Sequence, residues 1–262
     1  MNILILGGDR RMAVAAHELK QKGYDVDTIG LFEGDRGNVK NADVLLFGVP
    51  TTRDRKTVFC PETKREIPLD IAKSAKENAL LLTCGYKFDN DNCIDYLHLD
   101  DFCLLNAVPT AEGAIARAIN DTDFTLWSAD VLVIGNGRVG RVLAERLAAL
   151  KCNLTVSARK PSDFALLSAM GVKHIHTDSV AQNAHRFDII FNTVDVHLFD
   201  SFENLKNAYL YDLSSKGCID FDAAKSHGIR AEKLPAIPGK IAPITAGKII
   251  AQTVIRILDC KR

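Results

Sequence analysis

Short apolar runs of strand length, each followed by a stretch with helical spacing, recur along the whole chain. In the first part, Asn2–Leu6, Tyr24–Ile29, Ala42–Phe47, Ala79–Thr83 and Phe102–Leu105 read as strands. Met12–Lys22, Ile71–Glu77 and Asn92–Leu97 read as helices, with Gly23 closing the first. Thr110–Asn120 reads as another helix, with Thr110 at its N-cap and Glu112 in its first turn. The rhythm continues with strands Val131–Gly135, Leu154–Ala158, His174–His176, Asp188–Thr193, Tyr209–Leu213 and Arg230–Leu234. Helices fall between them, including Pro161–Met170 and Phe221–His227. A helical apolar pattern over Ala246–Leu258 ends the chain. Between Thr51 and Pro68 lies a charged stretch in which Thr57–Cys60 and Lys64–Ile67 could pair as a hairpin. It reads either as a solvated excursion or as a lid or partner-docking arm.

One strand leads into Gly135-Asn136-Gly137-Arg138-Val139-Gly140, and a strong helix former follows. Strand, Gly-x-Gly-x-x-Gly turn and helix in that order form the context of a dinucleotide site. Gly135 permits the tight turn, Gly137 lets a pyrophosphate approach the backbone, and Gly140 lets helix and strand pack closely. The helix N-terminus adds free N–H groups and partial positive charge. Strands alternating with helices predict parallel sheets. The expected fold class is therefore α/β, with two doubly wound parallel-sheet domains. The second is a Rossmann-type NADP-binding domain, and the C-terminal helix returns to the first. The expected domains are a flavodoxin-like substrate domain, 1–120 plus 240–262, and a dinucleotide-binding domain, 121–239.

Cofactor preference follows from the end of the second cofactor-domain strand. An NAD site usually places an acid there, about twenty residues past the glycines, to hold the ribose hydroxyl. Here Ser157, Arg159 and Lys160 stand instead. A guanidinium suits a 2′-phosphate, so NADP is expected. Asn192-Thr193-Val194 and Asp212-Leu213 end two further strands, where ligands of open α/β sheets bind; ordinary loop capping is the competing reading. Gly7-Gly8-Asp9 with Arg11 reads as a carboxylate-binding turn or a purely structural one. The Pro/Gly-rich junctions 106–113 and 238–247 lie where the chain is expected to change domain, and a cleft between domains is a usual substrate site.

Composition narrows the class. The 33 acidic and 33 basic residues balance, which argues against nucleic acid or an anionic membrane as partner. No apolar run reaches membrane-spanning length and no secretory signal is recognisable. Seven cysteines without a Cys-x-x-Cys spacing read as reduced thiols of a cytoplasmic protein. The histidines are not spaced for metal, so no metal site is expected.

These motifs resemble the dipicolinate synthase A-subunit family. The matching residues are Gly7-Gly8-Asp9 with Arg11, Val108-Pro109-Thr110 with Glu112-Gly113, Thr122–Thr125 and Gly135–Gly140. They continue with Ala158-Arg159, Asn192-Thr193, Asp212-Leu213, Pro238-Gly239, Ala242-Pro243 and Thr245–Gly247. The resemblance implies an NADP-dependent oxidoreductase subunit forming dipicolinate (pyridine-2,6-dicarboxylate) from a dihydrodipicolinate-type precursor during sporulation. It also implies, as partner, the flavoprotein-like B-subunit of dipicolinate synthase, alongside the small dicarboxylate substrate; a homo-oligomer is a further expectation. On this reading Gly7, Gly8, Asp9, Arg11, Thr110, Pro238, Gly239 and Thr245 would hold the substrate. Glu112 would be the base, with helix-end charge stabilisation as its alternative role. The layout also resembles 2-hydroxyacid and methylenetetrahydrofolate dehydrogenases, so another NADP-dependent dehydrogenase, or a non-enzymatic NADPH-binding redox sensor, is an alternative.

Overall fold

The apolar runs at Val44–Phe47, Leu80–Thr83, Ile189–Asn192 and Tyr209–Asp212 become strands buried on both faces, which is why those runs are continuous rather than alternating. The computed structural model describes residues 1–203, 205 and 208–261. It divides into unit 1, Met1–Asn106 with Pro238–Arg262, and unit 2, Ala107–Ile237.

Unit 1 contains β1 (Asn2–Leu6), α1 (Arg10–Gln21), β2 (Asp25–Ile29), β3 (Val44–Phe47), β4 (Leu80–Thr83) and β5 (Cys93–Asp95). The strands are parallel, in the order β2-β1-β3-β4-β5, the flavodoxin-like arrangement. Ile3 and Ile5 join Met12 and Leu19 on one face, while Leu4 and Leu6 join Phe47 and Val58 on the other.

Three sequence expectations change here. Asn92–Leu97 is not a helix: Cys93 pairs with Leu81 as the edge strand β5, and a 3-10 turn, Tyr96–His98, follows. Phe102–Leu105 is not a strand, because α2 (Asp100–Asp121) starts there, with two acids in its first turn. Phe102 packs edge-on against buried Tyr96, ring centres 5.1 Å apart. Thr110 therefore lies inside α2 and caps nothing. Ile71–Glu77 is represented by a 3-10 segment, Leu69–Ser74. The charged stretch is also more than a solvated excursion. Thr57 bridges Pro68 antiparallel, and Val58 N–H donates to the Ile67 carbonyl at 2.8 Å. Val58, Cys60, Ile67 and Leu69 are buried in the core of unit 1, so its apolar half is part of that core and not a free arm.

The division between units falls inside α2, between Asn106 and Ala107, and again between Ile237 and Pro238, rather than at 120/121 and 239/240. The cause is packing: Ala111, Ala114, Ile115, Ala118 and Ile237 all sit in the core of unit 2.

Unit 2 contains β6 (Asp130–Ile134), α3 (Arg138–Ala149), β7 (Asn153–Ala158), α4 (Pro161–Ala169), β8 (Lys173–His176), α5 (Val180–Asn183), β9 (Ile189–Asn192), β10 (Tyr209–Asp212), α6 (Phe221–Ser226) and β11 (Arg230–Lys233). The strands are parallel, in the order β11-β10-β9-β6-β7-β8. Counted from β6, this is the dinucleotide-binding order, with the reversal between β6 and β9. Then α7 (Ile237–Ile241) and α8 (Pro243–Cys260) follow. Ile249, Ile250, Val254, Ile257 and Leu258 of α8 complete the core of unit 1.

Candidate functional site

In unit 2 the glycine turn leaves β6 beside the reversal of strand order, where α/β sheets place ligands. Val131, Leu132, Val133 and Ile134 are fully buried, so the strand anchors the turn firmly. Gly135 takes φ +100°, a conformation side chains avoid, and a Cβ there would press on Val194 and Thr193 of the neighbouring turn. A Cβ on Gly140 would collide with the Gly135 carbonyl, whereas one on Gly137 would meet nothing within 4 Å. The turn is thus sealed against the protein at two glycines and open at the third. Arg138 and Val139 begin α3, with Gly137 as a cap that offers no side chain.

Ser157 is fully buried at the end of β7. Its hydroxyl accepts from the Gly135 N–H at 3.3 Å and contacts the Thr177 hydroxyl at 3.3 Å. It supports the turn from behind and is turned away from solvent, which corrects its expected contact with cofactor. Arg159 and Lys160 are exposed just beyond the strand, and Arg159 makes no hydrogen bond or ion pair among the described residues.

The turns after β9 and β10 adjoin. Thr193 Oγ1 donates to the Ile134 carbonyl at 2.8 Å, tying its turn to the glycine turn. Asn192 Nδ2 donates to Asp212 Oδ1 at 2.9 Å and to the Val194 carbonyl at 3.1 Å. Leu213 N–H donates to the Asn192 carbonyl. Asp212 is fully buried; its Oδ1 also accepts from Ser214 N–H at 3.0 Å, but its Oδ2 has no hydrogen-bond partner. An orphaned buried carboxylate oxygen is costly, and a ligand N–H or O–H donor would satisfy it. Open glycine, helix N-terminus, orphaned oxygen and exposed arginine together fit a dinucleotide.

Sequence reasoning missed one acid. Asp163, in the first turn of α4, accepts from Asn136 Nδ2 at 3.1 Å and from Arg141 Nη2 at 2.9 Å. Arg141 Nε donates to the Asn136 carbonyl at 2.9 Å. The signal available was Lys160-Pro161-Ser162-Asp163, a proline opening a helix with an acid in its first turn.

Glu112 is exposed and pairs with Arg146 Nε at 3.3 Å. Arg146 lies about 12 Å along α3 from Arg138, by helical rise. The structure thus gives Glu112 a surface ion pair away from the glycine turn, and its assignment as base loses support. Thr110 is half-buried within α2.

In unit 1 the turn after β1 differs from expectation. Gly7 and Gly8 do take positive φ, +61° and +100°. Their N–H groups, however, donate to the Ile29 carbonyl at 2.9 Å and the Phe59 carbonyl at 2.7 Å, so they form no anion cradle. Asp9 caps α1 and is gripped by Arg11, whose Nη2 approaches Oδ2 to 2.7 Å and also donates to the Val49 carbonyl at 2.6 Å. Arg11 is buried beside this partner; its Nη1 makes no hydrogen bond among the described residues. Gly239 lies against the Arg11–Asp9 pair, Pro238 is buried, and Thr245 is exposed in the first turn of α8. Burial pushes the Cys84 thiol, at the end of β4, up to about 12, so it stays protonated. Among the described residues no cluster of His, Cys, Asp and Glu could hold a metal, and no helix is long and apolar enough to cross a membrane.

Comparison with known proteins adds an independent line. Residues 2–98 match the family model of the N-terminal domain of the dipicolinate synthase A-subunit. The chain is 28% identical to the dipicolinate synthase A-subunit of Bacillus subtilis (strain 168), over 98% of this chain and 96% of that protein. It superimposes on the crystal structure of the dipicolinate synthase A-subunit from Bacillus halodurans with a TM-score of 0.86 at 27% identity, covering 98% and 97% of the two chains. A transhydrogenase from Sinorhizobium meliloti gives a TM-score of 0.68 at 16% identity, covering 99% and 94%, a likeness of fold alone.

Proposed function

We propose that this chain, which belongs to the dipicolinate synthase A-subunit family, is an NADP-dependent oxidoreductase subunit forming dipicolinate from a dihydrodipicolinate-type precursor during sporulation. The family supports a dehydrogenase-like role directly. The observation that carries the finer reading is the glycine turn, open at Gly137 and sealed at Gly135 and Gly140, beside an Asp212 oxygen without a partner.

When bound, a nicotinamide dinucleotide supplies a hydride acceptor, which aromatisation of a dihydropyridine ring requires. The chain's part is to bind and orient. The N–H groups opening α3, at Arg138 and Val139, would hold the phosphates with the helix dipole behind them. Arg159 and Lys160 stand free for a 2′-phosphate, which is the ground for NADP over NAD. Asn192 holds Asp212 so that Oδ2 stays an acceptor, and Thr193, Val194 and Leu213 shape the same edge for ribose and nicotinamide. In unit 1, Arg11 Nη1 is the donor left for a substrate carboxylate, with Gly239 packed on its guanidinium. Glu112, the base the sequence suggests, is engaged by Arg146. That role is assigned to a flavoprotein-like partner protein.

The test supplies NADP+ and a freshly formed dihydrodipicolinate to this chain alone and with the flavoprotein-like partner, and follows dipicolinate by its ultraviolet absorbance. Slow formation by the chain alone and a gain on mixing are expected. Failure to bind NADP(H), or oxidation of a 2-hydroxy acid with no dipicolinate in either mixture, overturns the reading.

A further inference from the structure

Three side chains around the glycine turn are joined in a way that ligand binding in unit 2 does not itself require. Asp163 Oδ1 accepts from both Asn136 Nδ2 and Arg141 Nη2. The same Arg141 reaches the Asn136 backbone carbonyl through Nε. The triangle is closed: one carboxylate oxygen, one guanidinium, and both the side chain and carbonyl of the second residue of the turn. Asn136 is buried, and the Asp163 side chain is only 15% exposed.

The consequence follows from peptide geometry. The Asn136–Gly137 peptide is planar and trans, so its N–H points opposite to its C=O. Arg141 holds the C=O on its own side, the side of α3 and α4. The Gly137 N–H is thereby aimed the other way, and Gly137 is the glycine of the turn at which an added Cβ would meet nothing within 4 Å. Without the triangle this peptide could rotate, since glycine at 137 offers little resistance to φ.

We propose that Asp163 is a positioning residue for the dinucleotide pyrophosphate: through Arg141 and Asn136 it fixes the Asn136–Gly137 peptide with its N–H turned toward the phosphates. This rests on the dinucleotide reading of unit 2. It gives Asp163 a role different from that of an acid binding the ribose hydroxyl, since its Oδ1 is already committed to two protein donors.

The experiment compares Asp163→Ala, Asp163→Asn, Arg141→Gln and the double variant Asp163→Ala/Arg141→Gln with the parent. The probes are NADPH, NADH and 2′-AMP; the last carries the adenosine and its 2′-phosphate but no pyrophosphate. Binding is read by titration and by competition, and melting temperature is recorded without ligand. Asp163→Ala and Arg141→Gln are each expected to weaken NADPH and NADH by about tenfold, the scale of one charge-assisted or strained hydrogen bond lost. 2′-AMP should change less than about twofold. The double variant should bind about as tightly as either single one, because both break one unit. Asp163→Asn keeps an acceptor for Asn136 and should fall between. A lowered melting temperature with equal losses for NADPH and 2′-AMP would mean general loosening, and overturns the proposal. So do additive losses, or a loss confined to NADH, which would mark Asp163 as a ribose ligand. A parent that binds neither NADPH nor NADH overturns the dinucleotide reading and this inference together. A parent that binds them, matched by Asp163→Ala, overturns this inference alone.

Discussion

Replacing Arg159 by alanine isolates the choice of cofactor. The side chain is exposed just after β7 and has no partner among the described residues. The strand behind it, from Leu154 to Ala158, is buried, so truncation leaves the backbone in place. Folding stability should therefore change by no more than about 0.5 kcal/mol. Bound to a 2′-phosphate, the guanidinium would make charge-assisted hydrogen bonds, together about 1.5–3 kcal/mol. Ordering a long exposed side chain opposes this by up to about 2 kcal/mol, and salt screens an exposed contact, so the lower half of that range applies. The expected result is a roughly 10- to 40-fold higher dissociation constant for NADPH, no change for NADH, and an unchanged melting temperature. The NADPH loss should shrink at high salt. Fluorescence titration of both cofactors against both proteins, at low and high salt, measures all of this. Equal losses for NADPH and NADH would refute the argument, because a group reading the 2′-phosphate cannot act on a cofactor that lacks it. Tighter NADH binding by the parent would refute it as well.

Gly140→Ala should push α3 off β6, since the new methyl meets the Gly135 carbonyl; a destabilisation of about 1–3 kcal/mol and loss of NADPH binding are expected in thermal melts and titrations, and an unshifted melt would show the turn to be compliant. Asp35 carries an acid-limb prediction. Burial raises its pKa, but N–H donors from Phe32, Gly30 and Leu31 lower it further, so the folded value lies below the ordinary one. Its contribution is therefore complete above about pH 4 and is lost as pH falls through the depressed value. Asp35→Asn should melt below the parent near pH 7, and the gap should close below about pH 4. A gap that widens in acid would contradict that sign.

Much of unit 2 was legible because its central strands, β6, β9 and β10, are short, largely apolar runs bounded by glycine or polar turns, as burial on both faces requires. The stretch from Asn92 to Leu105 was not. Cys93–Asp95 is an edge strand of three residues, too short to show a period, and Phe102–Leu105 has the same apolar density whether it is strand or helix. Pro109 suggested a helix boundary, yet α2 runs through it because Phe102 is held in one core and Ala111, Ala114 and Ile115 in the other. At the candidate site, the glycine spacing named the turn, and strand ends named Asn192 and Asp212. The triangle at Asp163 joins residues far apart in sequence, and no local pattern encodes such a meeting. The Gly7–Gly8 turn was misjudged for a related reason. Sequence shows that its amides exist; only the fold shows that Ile29 and Phe59 already occupy them.

The split composition of unit 1 has a consequence for synthesis on the ribosome. Its sheet precedes unit 2 in the chain, but α8, with Gly247 seated against the Arg11 carbonyl and Val14 of α1, follows unit 2. Unit 2 is contiguous, so its core needs no segment encoded after it. Unit 1, by contrast, cannot close until the segment encoded after unit 2 has joined it. Until α8 has emerged, Met12, Ala15 and Leu19 lack the α8 residues that share their core. Nascent chains stalled before Pro243 should therefore expose this face to chaperones and proteases, and removal of Pro243–Cys260 should leave a protease-resistant unit 2 attached to a sheet that never closes.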